Sequence, residues 1–105
     1  STAETLTNKT FLGYPVYRKV VNFGALPNAT TKYVAHGIQT PYTVISLTGI
    51  ATNANDYLTL PHVYFGDNTY AVLVQINRNT NQVEVGTAVD RSAYNAKIII
   101  EYIKN

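Results

Sequence analysis

The stretch Tyr14-Pro-Val-Tyr-Arg-Lys-Val-Val-Asn-Phe-Gly-Ala-Leu-Pro-Asn-Ala-Thr-Thr-Lys-Tyr-Val-Ala-His-Gly-Ile38 decides the fold class. From Tyr14 to Phe23 it is dominated by β-branched and aromatic residues, which pack well on a pleated surface and lose rotamer freedom in a helix. Pro15 has no backbone N–H to give a ladder, so it belongs near a strand's start or on an edge. Gly24-Ala25-Leu26-Pro27-Asn28 gathers turn formers where the backbone must reverse. Lys32 to His36 then reads as a second strand and Gly37 to Pro41 as a second turn.

Upstream, Ser1 to Thr10 is polar, small and without periodicity, and is expected to be a lead-in or linker (1–10) to a single domain over 11–105. Downstream, Tyr42 to Ala51 alternates, with Ile45 and Leu47 expected on one face and Val44, Ser46, Thr48 and Ile50 on the other. Tyr57 to Leu60 is a short extended piece that Pro61 ends or pushes to an edge. His62 to Thr69 reads as a loop or short strand turning at Gly66-Asp67-Asn68. Tyr70 to Asn77 alternates cleanly, with Tyr70, Val72, Val74 and Ile76 on one face. Val83 to Val89 pairs with it across the connection Arg78 to Gln82, and Lys97 to Lys104 closes the chain. No helical period occurs anywhere. The pattern predicts an all-β domain of about seven to eight strands in one antiparallel β-sandwich, jelly-roll-like, with a closed barrel as the alternative.

With 105 residues the chain holds one core. Only 13% of residues are charged, about half the usual share, so Asn, Thr and Tyr must keep the surface wet. The net charge of +2 is small and its basic residues are scattered, which argues against nucleic acid as a partner. The absence of cysteine removes disulfides, thiolate nucleophiles and Cys-based zinc sites. No apolar run is long enough for membrane insertion as a helix.

Chemistry-bearing residues are sparse. His36 and His62, the two histidines, lack metal-pair spacing, and a hydrogen-bonded histidine at a strand end is the expectation; no metal or cofactor is predicted. The six carboxylates sit at turns or on solvated strand faces, and no nucleophile elbow or phosphate loop appears, so the chain is expected not to be an enzyme. Asp90-Arg91-Ser92 reads as a turn fixed by the Asp side chain, with Arg91 pairing across to a neighbour. Nine tyrosines remain. Tyr57, His62, Tyr64, Phe65, Asp67 and Asn68 fall where the strand pattern is weakest. Aromatic faces beside Asp and Asn suit sugar rings, so Tyr57, His62, Tyr64, Asp67 and Asn68 form the candidate ligand site. The alternative is that Tyr64 and Phe65 plug one end of the core.

Several strands carry apolar residues on both faces: Ile99 and Ile103 oppose Ile98, Ile100 and Tyr102, and Leu73 opposes Val72 and Val74. Either neighbouring segments cover them, or Leu73, Ile99 and Ile103 mark an oligomer interface.

Pro15-Val16-Tyr17-Arg18-Lys19-Val20-Val21-Asn22-Phe23-Gly24-Ala25-Leu26-Pro27-Asn28, Thr31 to Ile38, Leu47 to Thr52, Asp90-Arg91-Ser92 and Ile100-Glu101-Tyr102 together resemble a small β-domain at the C-terminal ends of bacteriophage tail-fibre and minor structural proteins. The resemblance runs from about Phe11 onward and is weakest between Asn53 and Gln82. It implies a virion protein made in the bacterial host cytoplasm, a homotrimer about a fibre axis that contacts other virion proteins and a bacterial surface polysaccharide. A capsid decoration, head-fibre or baseplate domain without receptor binding is the alternative it leaves open.

Overall fold

The structure, a computed structural model, describes residues 3–64 and 67–105. Among the described residues it is all-β, with nine strands in two antiparallel sheets. These are β1 (Thr5–Phe11), β2 (Tyr14–Ala25), β3 (Thr31–Ala35), β4 (Thr43–Thr52), β5 (Tyr57–Leu60), β6 (His62–Tyr64), β7 (Asp67–Asn77), β8 (Gln82–Thr87) and β9 (Asn95–Ile103). A five-stranded sheet has the order β1-β2-β9-β4-β5 and a four-stranded sheet the order β3-β8-β7-β6.

β9 is the spine of the larger sheet, paired along β2 on one side and along β4 on the other. Its alternation delivers Ala96, Ile98, Ile100 and Tyr102 to the core at 1% exposure or less. Fully burying either isoleucine contributes about 1.5–3 kcal/mol. The smaller sheet answers with Val72, Val83 and Val85, all without exposed surface, and Phe23, Leu26 and Leu60 fill between. Gly49 leaves room for that packing: a Cβ there would stand 2.8 Å from Ile98 Cδ1 and 3.1 Å from the Lys97 carbonyl.

The first expectation to change is the lead-in. The polar lead-in is largely β1, an edge strand hydrogen-bonded to β2 through a two-residue turn at Leu12-Gly13, where both residues have positive φ. It escapes the sequence pattern because all but one of its residues are exposed, so it has no buried face to alternate with. The second change lies in β4. The ladder with β9 shifts between Val44 and Ser46, leaving Ile45 as an extra residue. That bulge breaks the period of two, and Val44 joins Leu47 against the core rather than opposing it. The clean alternation expected for β7 holds, with Val72 buried and Val74 and Ile76 packed on the core.

At one end of the molecule the rings of Tyr17 and Tyr102 stack at 6.0 Å, and Tyr42 meets Tyr102 edge-on at 6.4 Å. The Tyr102 hydroxyl donates to Glu4, which also pairs with Lys104 at 2.7 Å. Burial, then the Glu4 hydrogen bond, pushes the Tyr102 phenol up. The Lys104 and Tyr102 hydrogen bonds hold the Glu4 carboxyl below its ordinary range. His36 is buried there too. Its Nδ1 accepts from the Ile38 N–H at 3.0 Å and its Nε2 faces the Tyr42 hydroxyl at 3.1 Å, which donates to Asn81 Oδ1 at 2.7 Å. The histidine is thus the hydrogen-bonded structural group that its sequence position suggested.

Ile103, expected on an open face, is 2% exposed and so already covered within the chain. On that face Lys9 reaches from β1 across β2 to Glu101 at 2.7 Å. Ile99 is half-buried on the outward face of the larger sheet, opposite Val20 and Thr48. Leu73 is 56% exposed on the outward face of the smaller sheet, opposite Gly86. The three residues therefore do not make one contiguous patch.

Candidate functional site

A cleft of about 340 Å³ opens beside β5, lined by Asp56, Tyr57, Leu58, His62, Tyr70, Arg91 and Tyr94. Three segments build it, each set by local chemistry. The β4–β5 loop is held by Asn53, whose Oδ1 accepts the backbone N–H of Asn55 at 2.9 Å and of Asp56 at 2.7 Å. This side-chain mimic of a turn is what Asn does where the chain must reverse, and it delivers Asp56 and Tyr57 to the rim. Tyr57 is 84% exposed, a ring face held in water by the start of β5.

The second segment is the passage from β5 to β6. The chain leaves the larger sheet after Leu60, turns at Pro61 and enters the smaller sheet at His62, which pairs with Val72. Pro61 thus interrupts the extended run, as its missing N–H requires. The crossing brings His62, half-buried, to the same cleft as Tyr57 and sets Tyr70 of β7 opposite.

The third is the turn after β8. Asp90 Oδ1 accepts the Ser92 backbone N–H at 2.9 Å, and the Ser92 hydrogen bonds hold the Asp90 carboxyl below its ordinary range. The Arg91 N–H donates to the Pro27 carbonyl at 3.1 Å and the Tyr94 N–H to the Arg91 carbonyl at 2.9 Å. Arg91 is fixed further along: its guanidinium donates to the Tyr70 carbonyl at 2.9 Å and lies 5.6 Å from the Tyr94 ring centre. Its Nε is buried and has no hydrogen-bond partner among the described residues. The turn expected at Asp90-Arg91-Ser92 is present, and Arg91 pairs across to β7 as anticipated. What the sequence did not foretell is that this turn also walls a cleft.

Of the five candidate ligand residues, Tyr57 and His62 come together here. The backbones of Tyr64 and Asp67 pair in the β6–β7 hairpin. The side chains of Tyr64, Asp67 and Asn68 lie outside the described residues, as do Phe65 and Gly66 altogether. Asp56, Tyr70, Arg91 and Tyr94 join the site without having been foreseen. Asp56 reads as ordinary turn material and Tyr70 as one position in an alternating strand. A sequence signal existed only for Arg91, as a charged side chain inside a turn whose neighbours were already committed to holding it.

Chemically the cleft combines the exposed ring face of Tyr57, the two further phenols of Tyr70 and Tyr94, a fixed guanidinium and a carboxylate. Among the described residues no group of three or more His, Cys, Asp or Glu is placed to hold a metal ion. Comparisons with family models, with curated proteins and with solved structures find no match to this chain.

Proposed function

We propose that this chain is a non-enzymatic structural module of a bacteriophage virion, a tail-fibre or appendage domain that attaches to a saccharide of the host surface. The observation that carries the reading is the cleft beside β5. Tyr57 offers a flat apolar face to a sugar ring, while Asp56 and the anchored Arg91 offer an acceptor and donors at its rim. These groups orient hydroxyls rather than break bonds. The architecture proposed with it is a single β-sandwich with jelly-roll-like crossings, since the chain changes sheet after β2, β3, β5 and β8.

The assembly proposed with it is a homotrimer about a fibre axis, on the phage particle surface and in contact with other virion proteins. A ring of identical subunits presents two different faces at each contact. Leu73 on one sheet and Ile99 on the other suit that arrangement.

A second reading is favoured by Leu73 and Tyr33, both more than half exposed on the smaller sheet. On that reading the module is a capsid decoration, head-fibre or baseplate domain that docks on a virion protein and binds no receptor.

The test is retention of the purified protein on host cells and on their extracted surface polysaccharide. Tyr57→Ala is expected to weaken retention about three- to tenfold, the loss of one ring-stacking contact, with an unchanged far-UV spectrum. Equal retention of wild type and Tyr57→Ala would remove the cleft from the proposal. No retention of either would favour the docking module.

A further inference from the structure

β5 covers less than half of its neighbour. β4 is ten residues long, yet its pairing with β5 runs only from Gly49↔Leu60 to Thr52↔Tyr57. After Leu60 the chain leaves for the other sheet. From Thr43 to Thr48, among the described residues, no strand pairs with β4 on the side away from β9. The smaller sheet is open at the same place: β6 pairs β7 no further than Val72, so 73–77 of β7 has no strand on the side away from β8.

Between these two uncovered edges lies a cleft of about 410 Å³, lined by Val44, Leu47, Val74 and Ile76, with Gln75 and Arg78 among the polar groups. It is separate from the cleft beside β5 and shares no lining residue with it.

Natural sheets guard their edges with charge, short strands or irregular pairing. The other edges here follow that rule. β1 is interrupted between Leu6 and Thr10 and carries Lys9, β3 has five residues and carries Lys32, and β5 and β6 have four and three. The open stretch of β4 has the bulge at Ile45 but no charge and no proline, and the facing 73–77 of β7 is uncharged too. The one charge at the cleft is Arg78, exposed and in no ion pair among the described residues. It lies at the Thr43 end, because the Tyr42 hydroxyl is hydrogen-bonded to Asn81 of the same turn.

We propose that this cleft is a strand-addition site for the extended C-terminal segment of a protein partner, which pairs with Thr43–Thr48 of β4. The added strand runs antiparallel to β4 in the line that β5 leaves at Leu60. Alternate small apolar side chains enter between Val44, Leu47, Val74 and Ile76, and the terminal carboxylate meets Arg78. Six residues of edge span about 20 Å, enough for a ladder of main-chain hydrogen bonds, and alternate side chains give the selectivity. The direction follows from charge: only an antiparallel strand brings its C-terminus to the Thr43 end.

The probe is the acetylated peptide Thr-Val-Thr-Val-Thr-Val-Glu with a free C-terminus, and the readout is hydrogen exchange of the whole chain by NMR. The peptide is expected to protect amides within Thr43–Thr48 and to leave the β1 and β3 edges unchanged. Replacing its central Val by Pro removes a ladder N–H and is expected to weaken binding about tenfold. Arg78→Gln, at an exposed position, is expected to weaken it about two- to fivefold, and an amidated peptide carrying Gln for Glu should no longer distinguish wild type from Arg78→Gln. No protection at millimolar peptide, or equal protection at β1 or β3, overturns the proposal. So does protection of Thr43–Thr48 that rises with protein concentration alone, which would make the occupant a second copy of this chain.

Discussion

His36 shows how one side chain can tie three segments together. Its ring is shared between the Ile38 N–H and the Tyr42 hydroxyl, while its own backbone N–H donates to the Asn81 carbonyl at 3.3 Å. Because Nδ1 accepts from Ile38 and the Tyr42 hydroxyl donates to Asn81, the proton sits on Nε2 and the ring is neutral. Protonating Nδ1 would set two donors against each other. Burial, and then the positive charge of Lys19, lowers the His36 pKa below its ordinary value. The consequence for stability has a definite sign. Above about pH 6.5 the ring is neutral in both folded and unfolded chains, and stability is complete. As pH falls below that, the unfolded chain takes up a proton that the folded chain resists, and stability drops until the lowered folded pKa is reached. Urea midpoints between pH 7.5 and 5 are expected to fall with pH, no more steeply than the roughly 1.4 kcal/mol per unit that one proton allows. In His36→Gln that slope should disappear; an unchanged slope would assign it to another group. Glu4 and Asp90, both lowered, act in the same direction at more acid pH, as the carboxylate range is crossed.

At the scale of elements, the β1–β2 hairpin contains a local conflict. Its turn places Leu12 at φ 51° and Gly13 at φ 82°, a pair of left-handed residues that Asn-Gly fills at least cost. Leucine is disfavoured there by about 1–2 kcal/mol, and its side chain is 81% exposed, so little packing offsets that cost. Leu12→Asn is expected to raise stability by roughly 0.5–1 kcal/mol, read as a higher urea midpoint at unchanged slope. A fall instead would mean that Leu12 is covered in solution. The same hairpin explains why 1–10 read as a linker. A strand exposed on both faces has no hydrophobic period, and without an Asn-Gly or Asp-Gly signal its turn is silent as well. β7 is the opposite case. Its inner face packs on the core, and Val72, Val74 and Ile76 announced it from sequence alone.

On the scale of the molecule, the two sheets put surplus apolar side chains on opposite outer surfaces. Leu73 and Tyr33 face out from the smaller sheet, and Ile99 from the larger. A trimer in which each subunit gives one surface and receives the other uses both, whereas a two-fold dimer uses a single patch. Light scattering behind a sizing column tests the proposed homotrimer, whose mass is three times that of the 11.6 kDa chain. Leu73→Glu is expected to shift it toward the monomer by placing a charge in the contact. A monomeric wild type would remove the symmetric interface and leave these surfaces for a different protein partner.

Composition and alternation determined that this chain is all-β and which residues of β7, β8 and β9 share a face, because burial of one strand face imposes a period of two on the residues themselves. Turn chemistry likewise marked Asp90-Arg91-Ser92, since an Asp side chain two residues before an N–H is a local device. Only the tertiary structure decided the rest. The bulge at Ile45 moved Val44 to the inner face, the reach of Lys9 to Glu101 spanned β2, and the crossing at Pro61 brought Tyr57 and His62 to Arg91. Each depends on residues far apart in the chain meeting across a sheet or between sheets. Such meetings are fixed by strand order and register, which no local pattern encodes.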